Sequence, residues 1–368
     1  MNRPTVARVD LHAIRSNFQA ISTFLGGRSR VIAVVKANAY GHGAAQVALA
    51  LEEAGAAMLA CADIEEGVAL REAGVTAPVL VFGAMSVSDL NGLFTHKLTP
   101  TISTPGAARA LQAAAARHGV GLRCHLKIDT GMNRLGFRHD NLDRTLPEVA
   151  AAPNLRVDAI YTHFATADLP DHPAFAAQRQ RFATALARLP QLGITATIRH
   201  AANSAAMLRD ERVWCDYVRP GLLLYGIVPP PLASTLRLRP ALSLHSRIVA
   251  VKGLRAGEAS GYGLKGAFDN PARIAIVPAG YADGLDVRLA GRGVMLVRGR
   301  RARVVGSVCM DMSMIDVTGI DVAPGDEVII VGEQEGDSIG VREIAAAIGT
   351  IPYELLCRVG SRIERVYS

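Results

Sequence analysis

The chain has 368 residues, of which 50% are hydrophobic and 20% charged, and its net charge of +7 is scattered without basic runs that carry interleaved aromatic residues. We therefore expect a globular, soluble protein with a small-molecule ligand, and we do not expect nucleic-acid binding. The sequence has no long uncharged apolar stretch, so we expect no membrane span, and Met1–Leu11 does not resemble an apolar leader. Its five cysteines include no CxxC pair, so we expect a reduced, cytoplasmic protein.

From about residue 30, short β-rich runs alternate with helical stretches. The sequence predicts eight strands in this part: Val31–Val35, Met58–Cys61, Val79–Phe82, Thr99–Ser103, Arg123–Ile128, Val157–Thr162, Thr195–Arg199 and Tyr217–Tyr225. Helical spacing predicts helices that include Leu11–Leu25, Gly43–Ala54, Ile64–Ala73, Pro105–His118 and Pro173–Leu189. This alternation predicts an α/β fold whose first domain, residues 1–235, is a (β/α)8 TIM-type barrel.

After Pro229-Pro230-Pro231 the pattern changes to β runs without long helices. The predicted strands are Leu242–Val251, Ala272–Val277, Val294–Val297, Val304–Val308, Ser313–Val317 and Glu327–Val331, and one short helix, Val341–Ile348, follows them. Turn residues separate these runs. We therefore predict a mainly antiparallel β domain over residues 236–368, to which the first few residues of the chain could belong.

Lys36 comes directly after the first predicted strand, within the segment VVKANAYGHG. Barrel enzymes carry their function at the C-terminal ends of the strands. An ammonium that leaves a run of β-branched residues is poorly solvated, which lowers its pKa and suits Schiff-base chemistry. The alternative is a lysine that merely extends to the barrel rim.

Asn203, Ser204 and Gly221 follow the seventh strand or lie in the eighth β unit, where barrels often bind phosphate with loop amides and a helix N-terminus. Ser204 could instead be an ordinary helix N-cap. A lysine after strand one combined with a phosphate site on strands seven and eight predicts pyridoxal 5'-phosphate as the cofactor. No metal site is predicted.

Arg219, in the segment VRPG, could face the ring nitrogen of such a cofactor, or it could form a structural ion pair. A guanidinium that stays protonated cannot supply a proton to that nitrogen, so the ring would remain a weak electron sink. This disfavours side reactions such as transamination. His163, in YTHFATAD, could stack on the ring or be a rim residue.

Seven segments, taken together and in order, resemble the bacterial alanine racemase family over nearly the whole chain. They are VVKANAYGHG at Val34–Gly43, LKIDTGMNRLGF at Leu126–Phe137, THFATAD at Thr162–Asp168, AANSAA at Ala201–Ala206, RPGLLLYG at Arg219–Gly226, PAGYADG at Pro278–Gly284 and GSVCMDM at Gly306–Met312. The resemblance implies racemisation of alanine with pyridoxal phosphate by two bases on opposite faces of the substrate.

The resemblance also implies roles for residues of the barrel. Lys36 would be the Schiff-base lysine and one of the two bases, acting on D-alanine. Tyr40, Ser204 and Gly221 would hold the phosphate. Arg134 would contact the phenolic oxygen of the cofactor and the substrate carboxylate. Lys127 resembles the position that is carbamylated in many members; the alternative is a plain lysine at the end of a strand.

Two residues of the β domain complete the implied site. Tyr262, in ASGYGL, would be the second base, acting on L-alanine and supplied by the partner subunit of a homodimer; a simple hairpin tip is the alternative. Met310 would offer its backbone N–H to the substrate carboxylate, or it could pack in the core. Ser307 stands where many members carry an arginine, and Ser361 where some place a tyrosine, so we expect an altered entrance.

The implied role is to supply D-alanine for peptidoglycan or to degrade it. The alternatives are a racemase of broader specificity, a barrel-type pyridoxal-phosphate decarboxylase, a non-catalytic carrier of the cofactor and a cofactor-free Schiff-base aldolase. Arg219 argues against the decarboxylase, because decarboxylases favour an acidic partner for the ring nitrogen. The full β domain with Tyr262 argues against the carrier, and the predicted phosphate site argues against the aldolase.

Overall fold

Eight parallel strands close into a ring in the larger of two units, which comprises Ile14–Ala39 and Ala44–Arg239. The structure is a computed structural model that describes residues 3–85 and 87–368; Met1 and Asn2, which begin the predicted barrel domain, lie outside the described residues. The ring strands in chain order are Arg30–Val34, Met58–Cys61, Val79–Val81, Thr99–Ile102, Leu122–Asp129, Leu155–Tyr161, Ile198–Asn203 and Tyr217–Arg219. Each pairs with the next and the eighth pairs with the first, which confirms the predicted barrel.

Helices connect the barrel strands, and side chains cap the first turns of some of them. They are Leu11–Leu25, Lys36–Tyr40, Ala44–Glu53, Ile64–Glu72, Asn91–Thr95, Pro105–Arg117, Leu142–Thr145, Pro147–Ala150, Ala174–Arg188 and Ser204–Arg209. The side chains of Asp63 and Thr104 accept hydrogen bonds from backbone N–H groups in the first turns of the helices that follow them. Such caps stabilise a helix by about 1 kcal/mol each. A two-residue strand, Phe137–Arg138, pairs with strand five.

A mainly antiparallel sheet lies in the second unit. This unit comprises the segment that ends at Ala13, Tyr40–Gly43 and Pro240–Ser368. Its strands are Val6–Val9, Leu242–Arg247, Ala250–Leu254, Ala272–Val277, Val294–Val297, Arg300–Val305, Ser313–Asp316, Glu327–Gln334, Asp337–Ile339 and Glu364–Tyr367. The pairing of Val6–Val9 with Glu364–Tyr367 is parallel. Two helices, Val341–Ile348 and Pro352–Cys357, complete the unit. The predicted antiparallel β domain is therefore confirmed.

Several predicted boundaries differ from the structure. The eighth barrel strand was predicted to run to Tyr225, but it ends at Arg219, because Pro220 has no N–H for the ladder, and Leu222–Tyr225 forms a 3-10 turn. The seventh strand lies later than predicted, so His200 and Asn203 belong to it rather than follow it. The predicted strand Leu242–Val251 is split into two strands, which pair with different neighbours.

Among residues 3–85 and 87–368, no helix is long and apolar enough to cross a membrane.

Candidate active site

Lys36 lies two residues beyond the first barrel strand, at the start of an unusual helical turn. The four residues after it have left-handed backbone angles, with φ near 50° in each: Ala37, Asn38, Ala39 and Tyr40. For residues with a side chain this conformation costs roughly 1–2 kcal/mol each. Strain of this kind persists where neighbouring structure enforces it, and it is concentrated at functional sites.

Hydrogen bonds with neighbouring segments hold this turn in place. The carboxylate of Glu66 accepts the Ala37 N–H at 2.7 Å and, through its other oxygen, the Ala62 N–H at 2.7 Å. The side chain of Asn38 accepts the Ala44 N–H at 2.8 Å. The backbone that follows Lys36 is therefore strained but held by hydrogen bonds. Such a backbone is expected beside a residue that must keep a fixed position in a site.

Lys127 lies inside the fifth strand and is only 5% exposed. Burial, followed by the positive charges of Arg134 and Arg219, lowers the pKa of the Lys127 amine to about 8; Asp129 opposes this shift and Lys36 adds to it. The structure thus brings four predicted cationic residues into one electrostatic neighbourhood. They are Lys36, Lys127, Arg134 and Arg219.

Asp129 organises the loop that carries Arg134. Its Oδ1 atom accepts three backbone N–H groups at 2.9, 3.0 and 3.1 Å, from Gly131, Met132 and Asn133. Gly136 has φ of 126°, and a Cβ atom there would lie 2.7 Å from the Asp129 nitrogen, so only glycine fits. Arg134 itself is exposed and makes no hydrogen bond or ion pair with any residue that the structure describes, which leaves its guanidinium available to a ligand.

Arg219 is 3% exposed, and every group to which it donates is neutral. Its Nη1 donates to His200 Nδ1 at 2.8 Å, and its Nη2 donates to the carbonyls of Thr162 at 2.7 Å and Ala201 at 3.0 Å. Within residues 3–85 and 87–368, its Nε has no hydrogen-bond acceptor. Burial lowers the pKa of Arg219 to about 10, which still leaves it charged near neutral pH. It does not form the structural ion pair considered as an alternative.

Ser204 and Gly221 are held together, since the Gly221 N–H donates to Ser204 Oγ at 2.9 Å. The cap of the helix Ser204–Arg209 is Asn203, whose side chain accepts the Ala206 N–H at 2.9 Å. The alternative in which Ser204 is the N-cap is therefore wrong. The side-chain oxygen of Asn203 is therefore already used as the acceptor of this capping hydrogen bond.

His163 is partly buried, and its Nδ1 lies 3.4 Å from Nη2 of Arg219. Burial, and then the surrounding positive charges led by Arg219, lowers the pKa of His163 well below its ordinary value, so the ring is neutral. The fully buried Gln178 holds the backbone here: it donates to the His163 carbonyl at 3.0 Å and accepts the Ala165 N–H at 2.9 Å. Sequence reasoning missed Gln178, which no local pattern distinguishes from the other polar residues of its helix.

Tyr40 belongs to the second unit, where its ring centroid lies 5.8 Å from that of Tyr353. It is 7% exposed, and burial raises its pKa. A Cβ atom on Gly41 would lie 2.1 Å from the Leu356 carbonyl oxygen, so glycine allows this segment to pack against the helix Pro352–Cys357. Tyr353 was not predicted as a site residue, although it lies in the same C-terminal segment as Ser361.

Tyr262 and Met310 also lie in the second unit, and both are exposed, by 78% and 52% respectively. The backbone carbonyl of Tyr262 accepts a hydrogen bond from Ser307. Met310 is not a core residue, so that alternative is wrong. The exposed Tyr281 lies beside it, because the backbones of residues 281–282 donate to the carbonyls of Cys309 and Met310.

Comparison with known proteins identifies relatives over the full length. Residues 9–229 match the family model described as alanine racemase, N-terminal domain, and residues 241–367 match alanine racemase, C-terminal domain. The alanine racemase of Desulforamulus reducens is 43% identical over 371 residues, covering 100% of both chains, and that of Halothermothrix orenii is 40% identical over 369 residues, covering 100% of this chain and 97% of its own.

Solved structures agree with these relatives. The crystal structure of alanine racemase from D-cycloserine-producing Streptomyces lavendulae has a TM-score of 0.96 and 35% sequence identity, and the match covers 100% of this chain and 98% of that one. The crystal structure of alanine racemase from E. faecalis has a TM-score of 0.91 and 37% identity, and the match covers 100% of this chain and 98% of that one.

Proposed function

Because this chain belongs to the alanine racemase family, we propose that it interconverts L-alanine and D-alanine with pyridoxal phosphate held by Lys36. The observation that carries the assignment of the site is that Lys127 Nζ and Arg219 Cζ lie 5.7 and 5.2 Å from the centroid of the buried Tyr161 ring, and that Lys36 and Arg134 are close enough to lower the pKa of Lys127. Four positive charges so close together call for an anionic ligand.

The residues present fit the cofactor. Arg219 is a buried cation without a carboxylate partner, and its Nε has no acceptor among the described residues, as expected if a ring nitrogen accepts from it. Ser204 Oγ accepts from the Gly221 N–H, which leaves the hydroxyl hydrogen of Ser204 to donate to a phosphate after strands seven and eight. We therefore assign the ring to Arg219 and His163, and the phosphate to Ser204, Gly221, Asn203 and Tyr40.

The cofactor, when bound, supplies an electron-withdrawing group that makes the α-proton of the substrate acidic. The chain itself provides the proton transfers. Lys36 would exchange the α-proton with D-alanine, and Tyr262 with L-alanine, from opposite faces. Arg134 and the backbone N–H of Met310 would hold the substrate carboxylate, which fixes the α-carbon between the two bases.

We assign Tyr262 and Met310 to the active site of a partner subunit, so the functional unit is a homodimer. Exposed apolar side chains in the second unit support this arrangement: Tyr262, Leu264, Tyr281, Met310 and Met312 are all more than two-fifths exposed. Large exposed apolar residues close together are typical of protein interfaces. In the cell, we place the enzyme in the cytoplasm, where it supplies D-alanine for peptidoglycan or degrades it.

The function is tested by measuring racemisation of a panel of amino acids by the purified protein with pyridoxal phosphate. We expect alanine to be the preferred substrate and no release of CO2; release of CO2 instead would support a decarboxylase. Lys36→Ala should abolish both the lysine-linked absorbance of the cofactor and the activity. Tyr262→Phe should slow exchange of the α-proton of L-alanine with solvent more than that of D-alanine, and equal slowing would contradict the two-base assignment.

A further inference from the structure

Two histidines in the barrel interior continue the hydrogen-bond network of Arg219 away from the proposed cofactor site. His200, on the seventh strand, is 0% exposed and accepts from Arg219 through Nδ1 at 2.8 Å. Its Nε2 lies 3.0 Å from Nδ1 of His125, on the fifth strand. His125 is 2% exposed and forms part of the wall of a cavity of about 730 Å³ at the N-terminal ends of the strands, beside Arg123 and Asp158.

The protonation of both rings follows from what Arg219 can do. A guanidinium has only N–H donors, so Nδ1 of His200 must be an acceptor without a proton. The proton of a neutral His200 is then on Nε2, which donates to Nδ1 of His125. His125 in turn carries its proton on Nε2. Burial and the charge of Arg219 keep both rings neutral, since they lower the pKa of each histidine.

His200 cannot satisfy Arg219 in another way, because its ring plane is fixed. It stacks on Tyr161 with ring centroids 4.6 Å apart and an angle of 10° between the planes. The Tyr161 hydroxyl is itself hydrogen-bonded to Thr101 Oγ1 at 3.0 Å. The remaining freedom of His200 is the choice of tautomer, and the tautomer that Arg219 requires needs an acceptor at His125 for its Nε2–H.

We propose that His125 is a positioning residue for Arg219, acting through the tautomer of His200. Without an acceptor at His125, the Nε2–H of His200 would be buried and unpaired. Moving that proton to Nδ1 would set it against the Nη1–H of Arg219, two donors facing each other. The first outcome costs the free energy of one unpaired buried donor, whereas the second breaks the contact with Nη1 and releases Arg219 from the geometry in which its Nε is held.

The consequence for catalysis rests on the proposed function, in which Arg219 Nε faces the ring nitrogen of the cofactor. A displaced guanidinium would no longer donate a hydrogen bond to that nitrogen. The nitrogen could then accept a proton, which would make the ring a stronger electron sink. We therefore expect the ratio of transamination to racemisation to rise when His125 loses its acceptor, while a variant that keeps an acceptor at the same point preserves the ratio.

The tautomer is measured in cofactor-free protein by NMR with ¹⁵N-labelled histidine, which separates this inference from the proposed function. We expect two buried rings, those of His200 and His125, with the proton on Nε2 and Nδ1 as an acceptor, and we expect His200→Gln to remove one of the two signals and so assign it. A His200 ring with its proton on Nδ1, or doubly protonated at neutral pH, would overturn the proposal, whatever the enzyme does with alanine.

A pair of variants tests the positioning role. His125→Asn retains an oxygen acceptor near the place of Nδ1, and His125→Leu fills a similar volume without one. In the Leu variant we expect at least a tenfold fall in kcat, a shifted absorbance of the bound cofactor and a transamination ratio raised at least tenfold; in the Asn variant each should stay within about threefold of the unchanged protein. If the two variants lose activity equally and the transamination ratio stays constant in both, His125 has only a packing role. Should the Leu variant fail to fold, the tautomer of His200 in the Asn variant decides the question.

Discussion

Ser307 Oγ donates a hydrogen bond of 2.7 Å to the backbone carbonyl of Tyr262. The sequence suggested only that Ser307 replaces a larger residue at the entrance. The bond gives it a more specific role, because it attaches the exposed Gly-Tyr-Gly turn to the loop that continues to Met310. The Tyr262 side chain is 78% exposed, so little packing holds it and its direction depends on this attachment.

We predict that Ser307→Ala reduces kcat by about threefold to tenfold without lowering thermal stability. A hydrogen bond of this kind contributes about 0.5–1.5 kcal/mol. If that free energy helps to position Tyr262, its loss corresponds to the predicted fall in kcat of about threefold to tenfold. The measurement is steady-state racemisation together with α-proton exchange from L-alanine. Ser307→Thr, which keeps the hydroxyl, is the matched control; the interpretation fails if Thr and Ala have the same effect.

Asp129→Ala should loosen the loop that carries Arg134, because it removes one acceptor shared by three backbone N–H groups. Hydrogen bonds to a charged group contribute about 1.5–3 kcal/mol each, so we expect a loss of at least about 2 kcal/mol in unfolding free energy. We also expect KM for alanine to rise more than kcat falls, since Arg134 is assigned to the substrate carboxylate.

The control for this change is Asp140→Ala, which removes an exposed ion pair with Arg138 near the same loop. Exposed pairs contribute little. We expect its denaturation midpoint and KM to match those of the unchanged protein. A comparable rise in KM for both variants would mean that the loop responds to any loss of charge, and not to its anchoring by Asp129.

The residues that sequence predicted well are those whose role depends on local pattern. The helix Leu11–Leu25 and the strand Ala272–Val277 have the predicted bounds, because apolar periodicity and turn residues define them. Lys36 could be placed after strand one for the same reason. The left-handed turn that follows it could not be predicted, because Glu66, which accepts from Ala37, is distant in sequence and only Asn38 in KANAY is of a type that favours positive φ.

Residues whose role depends on contacts with segments distant in sequence were also missed, because local pattern carries no information about those contacts. Gln178 and Tyr353 resemble ordinary helical residues in the sequence, and only the fold brings Gln178 to the His163 carbonyl and Tyr353 to Tyr40. The histidine pair inside the barrel is a further case. His125 and His200 are 75 positions apart, and their contact requires the closed ring of strands.

Lys127 is predicted to form a carbamate with CO2 more readily than a surface lysine. Only the neutral amine reacts, and because its pKa is lowered to about 8, roughly a tenth of the amine is already neutral at pH 7 and most of it at pH 9. The measurement is ¹³C NMR with labelled bicarbonate, in which a protein-bound carbamate signal should grow over this pH range. The signal should disappear in Lys127→Ala and persist in Lys97→Ala, the control at an exposed lysine; its absence from the unchanged protein at pH 9 would contradict the prediction.

Acid should destabilise the cofactor-free protein through the buried histidines. Burial lowers the pKa of His125 to about 4 from 6.5, so between those values the unfolded chain binds a proton that the folded chain does not. The contribution to stability is therefore fully present above about pH 6.5 and is lost as the pH falls toward 4. At pH 5 the loss from His125 alone is about 2 kcal/mol, as each pKa unit corresponds to about 1.4 kcal/mol. Urea denaturation at pH 7.5 and pH 5 should show a smaller difference for His125→Asn than for the unchanged protein, whereas His12→Asn, at an exposed histidine of the first helix, should leave the difference as it was.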